Sequence, residues 1–367
     1  MLTVAVLGGG NGAHAAVVEL QLAGHRVAWW RRDRTSFPPG GRLRYHGILG
    51  AGEVGGHRCT DTLAEAVAGA DLVLAPVPAD VQVPLLDRLA PELEAGQVVA
   101  FAPGTFGSWI GASRRPDVTF LETGTLPYLA RLTGPGEVGI PVVATRLPVG
   151  SLPGEGPRAD AAHAVFAAAY PAAVRVGDAL DAALCNWGPV LHPPLVLHNL
   201  GAIESLGDGF DIHGEGTSEG VVRTILAVDA ERIALRRALG IEGEHWPIQD
   251  HYEQSPRGMY GSEAKRRLAE SRLWAEPIHP RHRYVTEDVV CGLVLTASWG
   301  RLAHQPLPVS EALLALAAPS LGIRPWEQGR TAAAIGADDL DEVRARTREG
   351  MAAGADTTAM ERSGASE

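Results

Sequence analysis

The first fourteen residues, MLTVAVLGGGNGAH, constrain the fold more than any other stretch. The apolar run 2–7 has the length and β-branched content of a buried parallel strand. It ends in Gly8, Gly9, Gly10, Asn11, Gly12 and Ala13, and a helical pattern then runs to Gly24. Read as G-x-G-x-x-A, Gly8 permits the tight strand-to-helix turn and Gly10 lets backbone approach a pyrophosphate. Ala13 keeps helix and strand close, while the helix start, Asn11 and Gly12 included, offers unpaired N–H groups and a positive dipole end. Glycine-rich turns also arise for structural reasons alone, and the bland alternative is a βα turn without a ligand. Position directly after a strand and before a helix is the context that dinucleotide binding requires.

Bulk properties narrow the class. A chain of 367 residues can hold two domains with separate cores. With 46% hydrophobic and 20% charged residues it reads as soluble and globular. A net charge of −11 argues against nucleic acid or an anionic membrane as the main partner. Cys59, Cys185 and Cys291 lie far apart, which fits reduced thiols better than a disulfide framework or a zinc site. The N-terminal strand leaves no room for a signal peptide, and no apolar run reaches spanning length. The expectation is a cytoplasmic protein, with a homodimer as the default assembly.

A second strand, RVAWW, ends at Trp30, and Arg31, Arg32, Asp33 and Arg34 follow. This position separates NAD from NADP: an acidic side chain bonds the ribose 2′-hydroxyl, whereas arginine accommodates a 2′-phosphate. Asp33, 20 residues past Ala13, fits NAD. The arginines around it, with Arg31 and Arg32 just past the strand, favour NADP.

Residues 37–56, rich in Gly and Pro, read as loop, and 60–69 as a short helix capped by Thr60 or Asp61. Residues 71–76 form another buried strand, followed by Val77, Pro78 and a helix through Leu93. Residues 97–102 and 118–122 are further strands. In a doubly wound sheet, ligands bind beyond the carboxyl ends of the strands. Pro76, Val77 and Pro78, then Gly104 and Thr105, and finally Thr123 are therefore expected to line the cofactor crevice. Residues 150–158 read as a connection, and a helix over 159–170 and the extended AAVRVGD close the first domain at Asp178. Helical patterns without buried strands follow over 179–187, 193–206, 220–239, 263–271 and 310–318. The predicted fold is an α/β N-terminal Rossmann domain, with a doubly wound and mostly parallel sheet (1–178). An all-α C-terminal domain (179–350) and a flexible tail (351–367) follow.

Two polar constellations stand out in the helical half, CNWGPVLHPP at 185–194 and HRYVTEDVVCG at 282–292. Reduction of a carbonyl or imine needs a proton donor beside the carbon that takes the hydride, and histidine titrates near neutrality. A carboxylate behind the imidazole fixes its tautomer and favours its charged form. His192 with Asp288 would make such a pair, although on their own the one reads as a loop or cap residue and the other as a helix cap. Arg131, Arg283, Arg324 and Arg330 are available to hold a substrate carboxylate. His279 and His282 have ligand-like spacing but flank Pro280 in a basic loop, and no metal site is expected.

GGGNGAHAA, ETGTLPY, NWGPVLHPP, DAER near Asp229, RYVTEDVVCGL and the late GRT together resemble the octopine/nopaline (opine) dehydrogenases. The resemblance runs in the same order from residue 2 to about residue 335. It implies a Rossmann domain joined to a helical substrate domain, and a catalytic His–Asp pair falling on His192 and Asp288. It also implies an asparagine that shapes the site, for which Asn186 is the candidate. The implied reaction joins an amino acid to a 2-keto acid through an imine that NAD(P)H reduces to a secondary amine. A reductase of the ketopantoate or 2-hydroxyacid type shares the glycine turn but commonly uses a lysine donor. This chain has the single lysine Lys265, in a charged run. A non-catalytic dinucleotide-sensing protein is the alternative from another class.

Overall fold

The computed structural model describes residues 1–274, 278–279 and 282–351. Its strands are β1 (Thr3–Leu7), β2 (Arg26–Trp30), β3 (Leu43–Gly47), β4 (Gly52–Val54), β5 (Arg58–Thr60), β6 (Leu72–Ala75), β7 (Val98–Phe101), β8 (Thr119–Thr123), β9 (Tyr128–Gly134), β10 (Glu137–Val143), β11 (Leu147–Leu152) and β12 (Ala173–Arg175). Eight of them form a sheet in the order β12-β11-β8-β7-β6-β1-β2-β5, parallel throughout except where β11 meets β8. β6 and β7 are buried at every residue, as strands covered by helices on both faces must be. The chain order reverses at β1, with β2 on one side and β6 on the other, which opens a crevice above their carboxyl ends.

Three segments depart from the sequence expectation. Residues 37–56 are not simply loop: β3 and β4 pair antiparallel, and β3 adds in parallel to β10 in a second sheet, β4-β3-β10-β9. These strands are short and half exposed, so local composition hides them, and the distant β10 supplies their hydrogen-bonding partner. Gly47 meets that partner so closely (φ 126°) that a Cβ would stand 2.1 Å from the Ile140 carbonyl oxygen. Residues 150–158 begin inside β11, where all six residues are buried. Gly150 suggests loop, but a Cβ there would lie 1.8 Å from the Asp178 carbonyl oxygen, and glycine marks a close backbone approach. Met351, where the expected tail begins, is buried, and residues 352–367 lie outside the described residues.

Helices follow β12, including Ala179–Ala183, Gly188–His198, Glu219–Ala238, Val294–Leu302 and Pro308–Leu321. The expected helix over 179–187 stops at Ala183, and the one expected from Pro193 begins at Gly188 with Pro189 in its first turn, a position where proline's missing N–H costs nothing. The long Glu219–Ala238 helix is tied inward by the buried ion pair of Arg236 with Asp181 at 2.7 Å and by Arg232, which pairs with Asp229 of its own helix at 2.7 Å and donates from Nη1 to the Leu184 carbonyl at 2.6 Å. The chain then returns to the sheet. Trp109 Nε1 donates to the Ile335 carbonyl at 2.9 Å, and the Gly154 amide donates to the Thr347 carbonyl at 2.7 Å. The cysteines are free thiols, and among the described residues no helix is long and apolar enough to cross a membrane.

The turn after β7 bears on the site. Thr105 and Phe106 both hold left-handed backbone, φ 52° and 62°, at a cost of about 1–3 kcal/mol each. The fully buried Glu122 of β8 offsets it by accepting the Phe106 amide at 2.9 Å and the Ser108 amide at 2.7 Å. A Cβ on Gly104 would lie 2.3 Å from the Glu122 carboxyl carbon, so that position excludes any side chain. Burial pushes the Glu122 carboxyl up to about 7, against the opposing pull of these amides and of Arg330. A carboxyl raised on folding stabilises the native state fully below its unfolded value near 4.5, and that contribution is lost as pH rises through 7. Glu122→Gln should therefore flatten the pH dependence of the unfolding free energy across that interval. The expected difference is up to one proton, about 1.4 kcal/mol per pH unit, read by urea titrations at stepped pH. An unchanged slope would mean that this carboxyl ionises as it does in the unfolded chain.

Candidate active site

The glycine turn has the clearances that a dinucleotide needs. Gly8 carries φ 132°, its amide bonds to the Trp30 carbonyl at 3.0 Å, and its carbonyl accepts Trp29 Nε1 at 2.7 Å. Gly10 is open, with no atom within 4 Å of a Cβ built there, which leaves room for a pyrophosphate against the backbone. Gly12 is packed: its Cβ would stand 3.2 Å from Pro76 and 3.3 Å from Leu126. Ala13 is fully buried behind Gly8. The helix Asn11–Leu22 starts here, leaving its first N–H groups without intrahelical acceptors. Asn11 is already engaged, since its Oδ1 accepts the Leu132 amide of β9 at 2.9 Å.

Arg31 lies across the turn. Its Nε would be 2.7 Å from a Cβ on Gly9, and its guanidinium stacks near the rings of Trp29 (5.3 Å) and Phe37 (5.7 Å). Arg32 is exposed beside it. The Asp33 carboxylate is turned into its own loop, accepting the Thr35 amide and hydroxyl at 2.8 Å. Arg31 thus borders the glycines, while the acidic group caps a turn.

The two constellations of the helical half meet. His192 Nδ1 and Asp288 Oδ2 are 2.6 Å apart across 96 residues of sequence. His192 stands on the Gly188–His198 helix rather than in a loop. Asp288 opens a π-helical segment, Asp288–Leu293, in which the Glu287 carbonyl accepts both the Cys291 and the Gly292 amides. Two glycines let these elements touch. A Cβ on Gly188 would lie 2.2 Å from Asp288 Oδ1, and one on Gly292 would lie 2.2 Å from Pro189 Cγ. Burial pushes the Asp288 carboxyl up and Arg283 pulls it down. The sequence reading did not single out Tyr284, whose ring stacks on His192 at 3.6 Å with 10° between planes. Its hydroxyl contacts His213 Nε2 at 2.7 Å. Its only signal was its place as the third residue of the polar constellation, with nothing to show which way it points.

Asn186 joins the pair to the sheet. Its Oδ1 accepts the Gly188 amide at 2.9 Å, and its Nδ2 donates to Thr105 Oγ1 at 3.3 Å. Thr105 and Gly104 are at the end of β7, and Pro76, Val77 and Pro78 lead from β6 into the helix Ala79–Leu89. Thr123 is placed differently from its expected role, because its buried hydroxyl donates to the Thr125 carbonyl at 2.6 Å within its own turn.

The four candidate arginines separate. Arg324 pairs with Glu327 at the surface, and Arg131 stacks on Trp274 at 4.1 Å. Arg330 is buried against backbone carbonyls. Arg283 is the one coupled to Asp288, and its Nε lies 3.4 Å from the Glu287 carboxylate. Lys265 is exposed on the helix Ala264–Ser271. Among the described residues, no three or more His, Cys, Asp or Glu side chains gather as metal ligands, and the rings of His279 and His282 pack edge to face.

Residues 175–321 match the family described as NAD/NADP octopine/nopaline dehydrogenase, alpha-helical domain. An opine dehydrogenase of Arthrobacter sp. (strain 1C) is 30% identical over 350 residues, covering 92% of this chain and 96% of that one. Octopine dehydrogenase in complex with NADH and L-arginine shares the fold with a TM-score of 0.71 at 17% identity, over 97% of this chain and 100% of the other. Yersinopine dehydrogenase with bound NADP+ superposes with a TM-score of 0.62 at 17% identity, over 95% and 98%. The chain belongs to the opine dehydrogenase family of NAD(P)-dependent oxidoreductases.

Proposed function

We propose that this protein condenses the amino group of an amino acid with a 2-keto acid and reduces the resulting imine to a secondary amine. The His192–Asp288 contact at 2.6 Å carries the reading. In it, residues 1–178 hold the dinucleotide and 179–350 the small-molecule substrates, in a cytoplasmic homodimer. The amine attacks the keto carbon, water leaves, and a C=N bond remains. A bound nicotinamide dinucleotide would supply the hydride that the imine carbon accepts.

The remaining work falls to side chains. Asp288 holds His192 through Nδ1, which fixes the tautomer and leaves Nε2 as the nitrogen that exchanges a proton with substrate. The Tyr284 ring keeps the imidazole plane in place, and its π-face favours the protonated form. Asn186 sets the start of the His192 helix relative to Thr105 at the crevice. Arg283, coupled to Asp288, is the group best placed to hold a substrate carboxylate. Gly8, Gly10, Gly12 and Ala13 seat the pyrophosphate. Arg31 over Gly9, with Arg32 beside it, supports NADP over NAD, since Asp33 spends its carboxylate on Thr35.

Oxidation of NADPH and NADH with a panel of 2-keto acids and amino acids, omitting each component in turn, tests the reaction. Oxidation should require both substrates; full oxidation with the keto acid alone would make the protein a simple carbonyl reductase. His192→Ala should lower kcat by about 10²-fold or more with cofactor affinity nearly intact, and Asp288→Asn should give a smaller loss in the same direction. Normal turnover in either variant removes the pair from the mechanism. Arg31→Ala and Arg32→Ala should each weaken NADPH binding by ~10-fold or more while NADH binding changes less. Equal losses for the two cofactors in fluorescence titrations would count against contact with a 2′-phosphate.

A further inference from the structure

We infer that Arg330 is a positioning residue that holds the hydride side and the proton side of the site in one frame. The role goes beyond the substrate-carboxylate ligand for which its type alone would suggest it. Its side chain is 7% exposed and spans two loops at the carboxyl edge of the sheet. Nη1 donates to the Thr105 carbonyl at 2.7 Å and to Gln82 Oε1 at 2.9 Å, and Nη2 donates to the Ala79 carbonyl at 2.5 Å. Gln82, itself fully buried, passes the link on by donating from Nε2 to the Gly104 carbonyl at 2.7 Å. The Arg330 amide meanwhile donates to the Val290 carbonyl at 3.1 Å, inside the π-helical segment that begins with Asp288.

One residue therefore fastens three things that chemistry needs in register. The Gly104–Thr105 turn borders the crevice, the Ala79 helix start follows the β6 loop, and the Asp288 segment orients His192. Thr105 is where these lines cross. Its carbonyl is held by Arg330, its hydroxyl by Asn186, and its left-handed backbone by the Glu122 grip on the next residue. Strain maintained by several buried polar groups is a mark of a functional position. A planar guanidinium can serve acceptors on separate loops at fixed angles, whereas an ammonium cannot match that geometry. Misplacement of reacting groups by about 1 Å is enough to cost ~10²-fold in rate.

The inference rests on the His192–Asp288 reading, and the two can fail separately. Arg330→Lys keeps the charge and loses the fork. It is to be compared with the unaltered protein by kcat, by cofactor dissociation constant, and by the primary isotope effect with coenzyme deuterated at the transferred C4 position. The expected result is a fall in kcat of about 10²-fold, a cofactor affinity within about threefold, and a larger isotope effect as the hydride step slows. An unchanged kcat and isotope effect in the folded variant would overturn the assignment, as would full rescue by lysine of the activity lost in Arg330→Met. Should the Arg330 variants not fold, Gln82→Leu carries the test. It removes both the link to Gly104 and the acceptor for Arg330 Nη1 while leaving the guanidinium in place. It should lower kcat at least about fivefold at constant cofactor affinity, and no change in kcat would overturn the proposal. Loss of function in His192→Ala with a normal Arg330→Lys refutes the positioning role only. Normal turnover in His192→Ala refutes the pair itself, whatever Arg330→Lys does.

Discussion

Two buried polar side chains on the carboxyl edge of the sheet are what the rest of the site depends on. Glu122 reaches up from β8 and Arg330 reaches across from the returning C-terminal segment, and between them they hold a turn whose two central residues have unfavourable backbone angles. Neither group has access to bulk water, so each unmade bond would carry its full desolvation cost. That makes the turn over-determined. Asn186 can then use Thr105 as a fixed point, and the helix that begins two residues later delivers His192 to Asp288.

The glycines express the same economy in steric terms. Gly104 admits the Glu122 carboxylate, Gly188 admits Asp288, and Gly292 admits Pro189. In each case a single methyl group would occupy space already filled by a partner needed for the site. Gly10 is the opposite case, with no atom within 4 Å of a Cβ built there.

The parts of the fold that repeat a local pattern were legible in the sequence. The β1 turn and the interior strands β6 and β7 announce themselves by unbroken apolar runs and by glycine placement. The second sheet did not, because β3 and β10 owe their structure to each other across a long stretch of chain and β3 carries exposed polar residues. His192 and Asp288 were legible as chemistry, and the family resemblance paired them. Composition could not show that a helix starting at Gly188 and a π-helical segment at Asp288 bring them into contact. Arg330 illustrates the remaining gap. Its type suggested a ligand for a carboxylate, and only the folded chain shows it spent on three carbonyl and amide oxygens.

The return of the chain after the helices has a mechanical consequence. The polypeptide passes from sheet to helical layer after β12 and comes back to the sheet at Arg330, Ile335 and Thr347. The helical layer is thus moored at both ends, like a drawbridge with two hinges on the same wall. A layer tethered twice to the same edge has less freedom to swing or twist than one tethered once, so its position over that edge is set by two connections rather than one.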